Sequence, residues 1–196
     1  MNDTWDEYAN GWDKNPDARN YSEKAFQRLL EVAEIEGALV FDFGCGTGLL
    51  TEKIAPHATS IVALDNSEKM IEILKGKNLR NVEAIFGSLE EFLMPSETKE
   101  PTRFDLVVAS SVCSFVSDYE GTLQKLHTIL KPGGRLVQWD WFSPDGSSHP
   151  GFTKKQISTA MTRAGFLAVS VSDGFTMSGE QDEALVLMVV GNSYSD

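Results

Sequence analysis

Residues 39–51 read Leu39-Val40-Phe41-Asp42-Phe43-Gly44-Cys45-Gly46-Thr47-Gly48-Leu49-Leu50-Thr51. The run from Leu39 to Phe43 is short and mostly apolar, the pattern of a strand buried on both faces. It breaks on glycines at alternate positions, Gly44, Gly46 and Gly48, and an apolar helical stretch follows. Glycine lets the chain turn sharply and lets a ligand approach with no Cβ in the way. The first turn of the next helix offers free N–H groups beside the strand's carboxyl end. A strand, bare turn and helix in this order make a nucleotide-type pocket. A tight turn with no ligand is the competing reading, and the rest of the chain decides between them.

Strand and helix patterns alternate along most of the remaining chain. Before the glycine turn, Asn20 reads as an N-cap with Glu23 three residues on, opening a helix over Tyr21–Glu36 whose apolar stripe is Tyr21, Phe26, Leu29, Leu30 and Ala33. After it come a short helix from Leu49 to Ala55, a strand from Ser60 to Leu64, and a helix capped by Ser67. Strands follow at Asn81–Phe86 and Phe104–Ala109, separated by a helical piece, Glu90–Leu93, and a polar connection, Met94–Arg103. A helix over Ser117–Leu130 is expected to stop at the turn Lys131-Pro132-Gly133-Gly134, which feeds a strand from Arg135 to Trp139. A loop over Asp140–Pro150, a helix over Thr153–Ala164 and strands at Phe166–Val171 and Ala184–Val190 complete the chain. The last two strands have no helix between them and are expected to pair antiparallel. The alternation calls for a mainly parallel sheet covered on both faces.

The totals agree with one α/β domain. The chain has 196 residues, 41% of them hydrophobic, and no apolar run nears the roughly 20 residues of a membrane span. We read residues 1–196 as a single domain, with 1–20 as an N-terminal arm or lid carrying Trp5, Tyr8 and Trp12. The stretch Met1–Asp13 is polar and acidic rather than signal-like, and Cys45 and Cys113 form no metal-ligand spacing, so a cytoplasmic protein with free thiols and no bound metal is expected. A formal net charge of −12 repels phosphate backbones and anionic lipid, which argues against nucleic-acid and membrane partners. The sequence leaves the oligomeric state open.

Asp65 stands at the end of the second strand, about twenty residues past the glycine turn, where a carboxylate can accept both ribose hydroxyls of an adenosine. A helix N-terminal acid is its plainer role. The histidines offer less. His57 lies in a turn, His127 falls on the apolar face of its helix, and His149 lies in the loop after the fifth strand as a candidate general base. Trp139-Asp140-Trp141-Phe142 sits at the carboxyl end of that strand, the end where open α/β sheets bind ligands. There it reads as edge packing or as an aromatic wall holding one acid.

The glycine spacing is G-x-G-x-G rather than the dinucleotide fingerprint G-x-G-x-x-G, with Asp42 two residues ahead of it. This stretch resembles motif I of the class I S-adenosylmethionine-dependent methyltransferases. Asp65-Asn66-Ser67 resembles that family's second-strand acid, and Gly87-Ser88-Leu89 stands where the family meets the adenine edge, with Ser88 in place of the commoner aspartate. Phe104–Ser111 resembles its fourth strand, and Leu130–Leu136 matches a frequent helix-end signature. The resemblance spans roughly 39–190 and implies a Rossmann-like three-layer sandwich, a mainly parallel seven-stranded sheet with an antiparallel last strand. It implies S-adenosylmethionine as cofactor, S-adenosylhomocysteine as product, and methyl transfer to a small-molecule substrate.

By the same resemblance Asp42, Gly44, Cys45, Gly46 and Gly48 shape the methionine pocket, Asp65 and Asn66 hold the ribose, Ser88 and Leu89 meet the adenine, and Ser110 receives the methionine amino group. Trp12, Asp140 and His149 remain for the cofactor mouth and the acceptor side, the last two as candidate catalytic groups. No nucleophile of the cytosine-methylating kind is present, since Cys113 follows Val112 and not proline. Two other functions are weighed against this one: a nicotinamide-dependent oxidoreductase on a similar sheet, and a cofactor-binding protein without catalysis.

Overall fold

The computed structural model of the chain describes residues 3–94, 103–145, 151–178 and 183–194. Seven strands form one sheet in the order β3-β2-β1-β4-β5-β7-β6. They are β1 (Leu39–Phe43), β2 (Ser60–Asp65), β3 (Val82–Phe86), β4 (Phe104–Ser110), β5 (Leu130–Trp141), β6 (Leu167–Ser178) and β7 (Glu183–Asn192). The pairs among β1 to β5 are parallel, whereas β7 runs antiparallel to both β5 and β6. The strand order reverses between β1 and β4, so the carboxyl ends of those strands open a crevice at a topological switch point.

The helices are α1 (Asp3–Trp12), α2 (Pro16–Val32), α3 (Leu49–Ile54), α4 (Glu68–Gly76), α5 (Leu89–Phe92), α6 (Tyr119–Thr128) and α7 (Lys154–Arg163). Alternating side chains along the central strands split the core in two. Val40, Leu106, Val108 and Trp139 pack with Leu29 of α2, Ile54 of α3 and Leu74 of α4 on one face. Phe41, Val107, Ala109 and Leu136 pack with Leu126 of α6 and Met161 of α7 on the other. A period of two along strands buried on both sides produces this division. The result is a three-layer sandwich of helices, sheet and helices.

Several boundaries differ from the sequence reading. The second helix starts at Pro16, not Tyr21, because Asn15 Oδ1 accepts the Asp17 amide at 2.9 Å and Pro16 fills the first turn, where no N–H is needed. The Asn15-Pro16 pair thus caps α2. Residues 3–12, expected as an arm, form α1, which lies along α4 and buries Ala9. The Lys131–Gly134 segment is a bulge inside β5 and not a turn ahead of it. Phe104 pairs with Leu130, the register then jumps to Leu106 with Arg135, and Gly133 N donates to Tyr194 O at 2.7 Å. Strands β6 and β7 are also longer than their apolar runs, since their polar outer residues still pair across the hairpin.

Candidate functional site

β1 stops where the Gly44 and Cys45 amides both donate to Leu64 O, at 2.8 and 3.1 Å. Gly44, Gly46 and Gly48 then take φ of +68°, +55° and +80°. At Gly44 no side chain fits, because a Cβ would lie 2.3 Å from Val112 Cγ2 in the segment after β4. At Gly46 the nearest atom to such a Cβ would be Met70 Sδ at 4.0 Å, so that stretch of main chain faces open space. Asp42 sits below the turn, 1% exposed, and its Oδ2 accepts the Thr51 hydroxyl at 2.6 Å. Burial pushes its carboxyl up to about 7, against the pull of Thr51 and with help from the charge of Asp65. Cys45 is half-buried with its thiol toward Gly46 O at 3.6 Å, and burial raises its pKa well above the usual thiol value.

Asp65 ends β2 with its carboxylate turned to the glycine loop. Oδ2 accepts the Gly46 amide at 2.8 Å and Oδ1 accepts the Ser67 amide at 2.9 Å. Burial raises its pKa, while those amides draw it the other way. A carboxylate offers about four lone-pair positions, so the arrangement leaves capacity for a pair of ligand hydroxyls. Asn66 is exposed beside it. Ser88 caps α5, with its amide and hydroxyl both donating to Glu91 Oε2, at 2.8 and 2.9 Å. Leu89 turns its side chain into the core, 4% exposed. The Ser88 hydroxyl is engaged in this cap and also accepts the Glu91 amide at 3.2 Å.

The N-terminal helix closes over this side. Asp6 Oδ1 accepts the Ser67 hydroxyl and, at 3.3 Å, the Lys69 amide. Asp13, just past α1, accepts the Thr47 hydroxyl and pairs with Lys77 at 3.0 Å. Between these anchors Trp5 meets Trp12 edge-on at 6.0 Å and Phe115 edge-on at 5.1 Å. Neither Asp6, Asp13 nor Thr47 was singled out in the sequence. The only signal lay in Trp5, Tyr8 and Trp12, whose spacing of three and seven places them on one helical face.

Beyond β4 the chain bends through Ser111, a non-glycine residue at φ +55°, into a 3-10 turn over Cys113–Phe115. Ser110 is half-buried at the strand end, and Ser111 Oγ accepts Trp141 Nε1 at 3.1 Å. Asp140 has no exposure. Its Oδ1 accepts the Ser114 amide at 3.2 Å, and its Oδ2 accepts Gln138 Nε2 at 2.9 Å. Tyr119 donates to Gln138 Oε1 at 2.9 Å and completes the chain of bonds. Burial pushes the Asp140 carboxyl up to about 7. Asp140 is thus tied beneath the turn rather than presented to solvent. His149 lies outside the described residues. Cys113 is buried, and His127 packs edge-on against Phe166 at 4.9 Å.

The structure brings Asp42, Gly44, Cys45, Gly46, Gly48 and Asp65 into one crevice at the carboxyl ends of β1 and β2. Ser110 ends β4, Asp140 lies one residue before the end of the neighbouring β5, and Trp12 ends α1. A loop with glycine at every second position, bonded through the Gly46 amide to the Asp65 carboxylate, leaves bare main chain along this crevice. Among the described residues no helix is long and apolar enough to cross a membrane.

A family model described as a methyltransferase domain matches residues 41–136. The demethylmenaquinone methyltransferase of Listeria welshimeri is 32% identical over 148 residues, covering 71% of this chain and 57% of that protein. The chain spans about half the length of the curated relatives it matches. A chain in the complex between the Haloferax volcanii Trm112 methyltransferase activator and a methyltransferase superposes with a TM-score of 0.79 at 18% identity, covering 97% of this chain and 98% of that one. The N-methyltransferase NodS of Bradyrhizobium japonicum, solved with S-adenosylhomocysteine, superposes with a TM-score of 0.70 at 19% identity, covering 92% of this chain and 89% of that one.

Proposed function

Because the chain belongs to the class I S-adenosylmethionine-dependent methyltransferase family, we propose that it transfers the methyl group of S-adenosylmethionine to a small-molecule acceptor. The observation that carries this reading is the Asp65 carboxylate bonded at 2.8 Å to the Gly46 amide beside a loop with no side chain in the way. The cofactor supplies an electrophilic methyl on a sulfonium.

The chain's residues bind and orient around it. Asp65 accepts the ribose hydroxyls with Asn66 at its side. The main chain of Gly44–Gly48, Cys45 included, lines the amino-acid tail, and Asp42 holds that turn through Thr51. The main chain at Ser88 and Leu89 borders the adenine, and Ser110 receives the methionine amino group through its carbonyl.

Methyl transfer needs a nucleophile in line with the breaking bond and water kept away, so positioning supplies much of the rate. α1 is the lid that excludes water, with Trp12 at its end and Trp5 on Phe115. Asp140 shapes the acceptor side from below, and His149, outside the described residues, stays a candidate base. We read residues 1–196 as one catalytic domain, working in the reducing cytosol where Cys45 and Cys113 remain free. A net charge of −12 favours a small acceptor over nucleic acid.

Thermal denaturation with S-adenosylmethionine, S-adenosylhomocysteine and NAD tests the cofactor. Ligand at 100 times its Kd adds about 2.7 kcal/mol to native stability and raises the melting temperature. Stabilisation by NAD and not by the sulfonium pair overturns the proposal in favour of hydride transfer. Binding of S-adenosylmethionine with no labelled methyl transferred across a broad acceptor panel favours a binding protein without catalysis.

A further inference from the structure

β3 ends at Phe86, which pairs in register with Asp65, and the Gly87 amide that follows donates to Asp65 O at 2.9 Å. The first residues after β3 are therefore direct neighbours of the acid proposed for the ribose. Where the family more often carries an aspartate, this chain has Ser88. The Ser88 hydroxyl gives its only proton to Glu91 Oε2 at 2.9 Å and accepts the Glu91 amide at 3.2 Å. That leaves it a single lone pair, a weaker acceptor than a carboxylate oxygen.

Glu91 supplies the carboxylate instead. Its Oε2 also accepts the Ser88 amide at 2.8 Å and stands 3.3 Å from where a Cβ on Gly87 would lie. These contacts fold the side chain back over the bare α-carbon of Gly87, to the end of β3. Its Oε1 has no partner among the described residues, and the two bonds from Ser88 hold the carboxyl below its usual value, so it is ionised at neutral pH. Glu90 is turned elsewhere, paired with Lys125. Phe86 adds a flat apolar surface at the same strand end. Val82 and Ala84, on its face of the strand, pack into the core, whereas the Phe86 ring is 48% exposed.

We propose that Glu91 reads the 6-position of the cofactor's purine, its Oε1 accepting from the exocyclic amino group, with the Phe86 ring as the apolar border of that subsite. This rests on the methyltransferase reading above and goes beyond it by assigning base selection to a side chain. Ser88 is then a positioning residue, which fixes the carboxylate without touching the base. An ionised carboxylate only accepts, so the site favours an amino substituent and opposes a 6-oxo group, whose lone pairs would face those of Oε1.

Calorimetric titration of the full chain with S-adenosylhomocysteine and with S-inosylhomocysteine, its 6-oxo counterpart, tests the assignment. Wild type is expected to prefer the amino form by roughly ten- to a hundred-fold, the range for one hydrogen bond to a charged group. Glu91→Gln keeps an oxygen for the Ser88 amide and offers an N–H to the oxo group, so the preference should shrink to about threefold or reverse. Phe86→Ala should weaken both ligands by a similar factor and leave their ratio alone. An unchanged ratio in Glu91→Gln overturns the role of Glu91, as does a wild type that binds both forms equally. Should Glu91→Gln lose its melting transition, Ser88→Ala decides in its place. Loosening the carboxylate should cut the preference several-fold, and an unchanged ratio there overturns the proposal. Failure of wild type to bind S-adenosylhomocysteine at all overturns the cofactor reading and this one with it, whereas binding without an amino preference overturns this one alone.

Discussion

The Ser67 hydroxyl donates to the carboxylate of Asp6, a residue 61 positions earlier, while the Ser67 amide donates to Asp65 at 2.9 Å. One serine therefore joins the N-terminal helix to the acid at the crevice. The Ser67 bond holds the half-buried Asp6 carboxyl below its usual value, so the latch is charged at neutral pH and weakens only as acid titrates Asp6. Asp6→Ala is expected to free α1 without unfolding the sheet. Trypsin should then cut sooner at Lys14 and Arg19, and S-adenosylhomocysteine should dissociate several-fold faster. Unchanged cleavage and release rates in a stopped-flow and proteolysis comparison would show that α1 is held by its aromatic contacts and the Asp13 anchor without Asp6.

Asp65→Ala removes the acceptor proposed for the ribose and leaves the Gly46 and Ser67 amides without their partner. Charge-assisted hydrogen bonds of this kind are worth about 1.5 to 3 kcal/mol each. Affinity for S-adenosylhomocysteine should fall by roughly ten- to a hundred-fold, measured by calorimetry. Asp65→Asn keeps one acceptor oxygen and should lie between the two. Equal affinity in all three proteins would place the ribose elsewhere.

Sequence alone carried the central architecture because its signals are local and redundant. The run from Leu39 to Gly48 names a strand and a turn at once, and Asp65 follows at the distance a strand–helix–strand unit requires. What sequence did not carry depends on contacts far along the chain. Asp13 reaches Thr47 and Asp6 reaches Ser67 only after α1 folds back, and nothing local marks either acid for that partner. The bulge at Lys131–Gly134 was hidden because a Pro-Gly-Gly run signals a break equally well at a helix end and inside a strand.

Glycines in the turn should tolerate alanine unequally. Gly44→Ala meets Val112 Cγ2 at 2.3 Å and Cβ at 2.5 Å, and valine has little rotamer freedom with which to yield. Overpacking together with the positive φ should cost about 2 to 4 kcal/mol. Gly46→Ala meets nothing nearer than 4.0 Å and is penalised only for its φ of +55°, by about 1 kcal/mol. Denaturant midpoints should rank wild type, Gly46→Ala and Gly44→Ala in that order. Reversal of the two variants would mean that β1 and the segment after β4 are not in close approach.

Asp140 makes stability fall as pH rises through a defined window. Its folded pKa of about 7 lies above the ordinary carboxylate value of 3.8. Between those values the unfolded chain has lost the proton that the folded chain still holds. The folded state binds more protons there, so unfolding free energy declines with rising pH by up to about 1.4 kcal/mol per unit, and the loss is complete above the folded pKa. Asp42, also raised to about 7, slopes the same way. Asp140→Asn removes one of the two slopes. Its amide group meets either the Ser114 or the Gln138 donor, so the variant should be less stable than wild type at pH 5. At pH 8, where wild type bears the buried charge, the gap should narrow by about 2 kcal/mol. Urea unfolding at both pH values reads the difference directly. Parallel profiles for the two proteins would mean that Asp140 is ionised throughout, held so by Ser114 and Gln138 despite its burial.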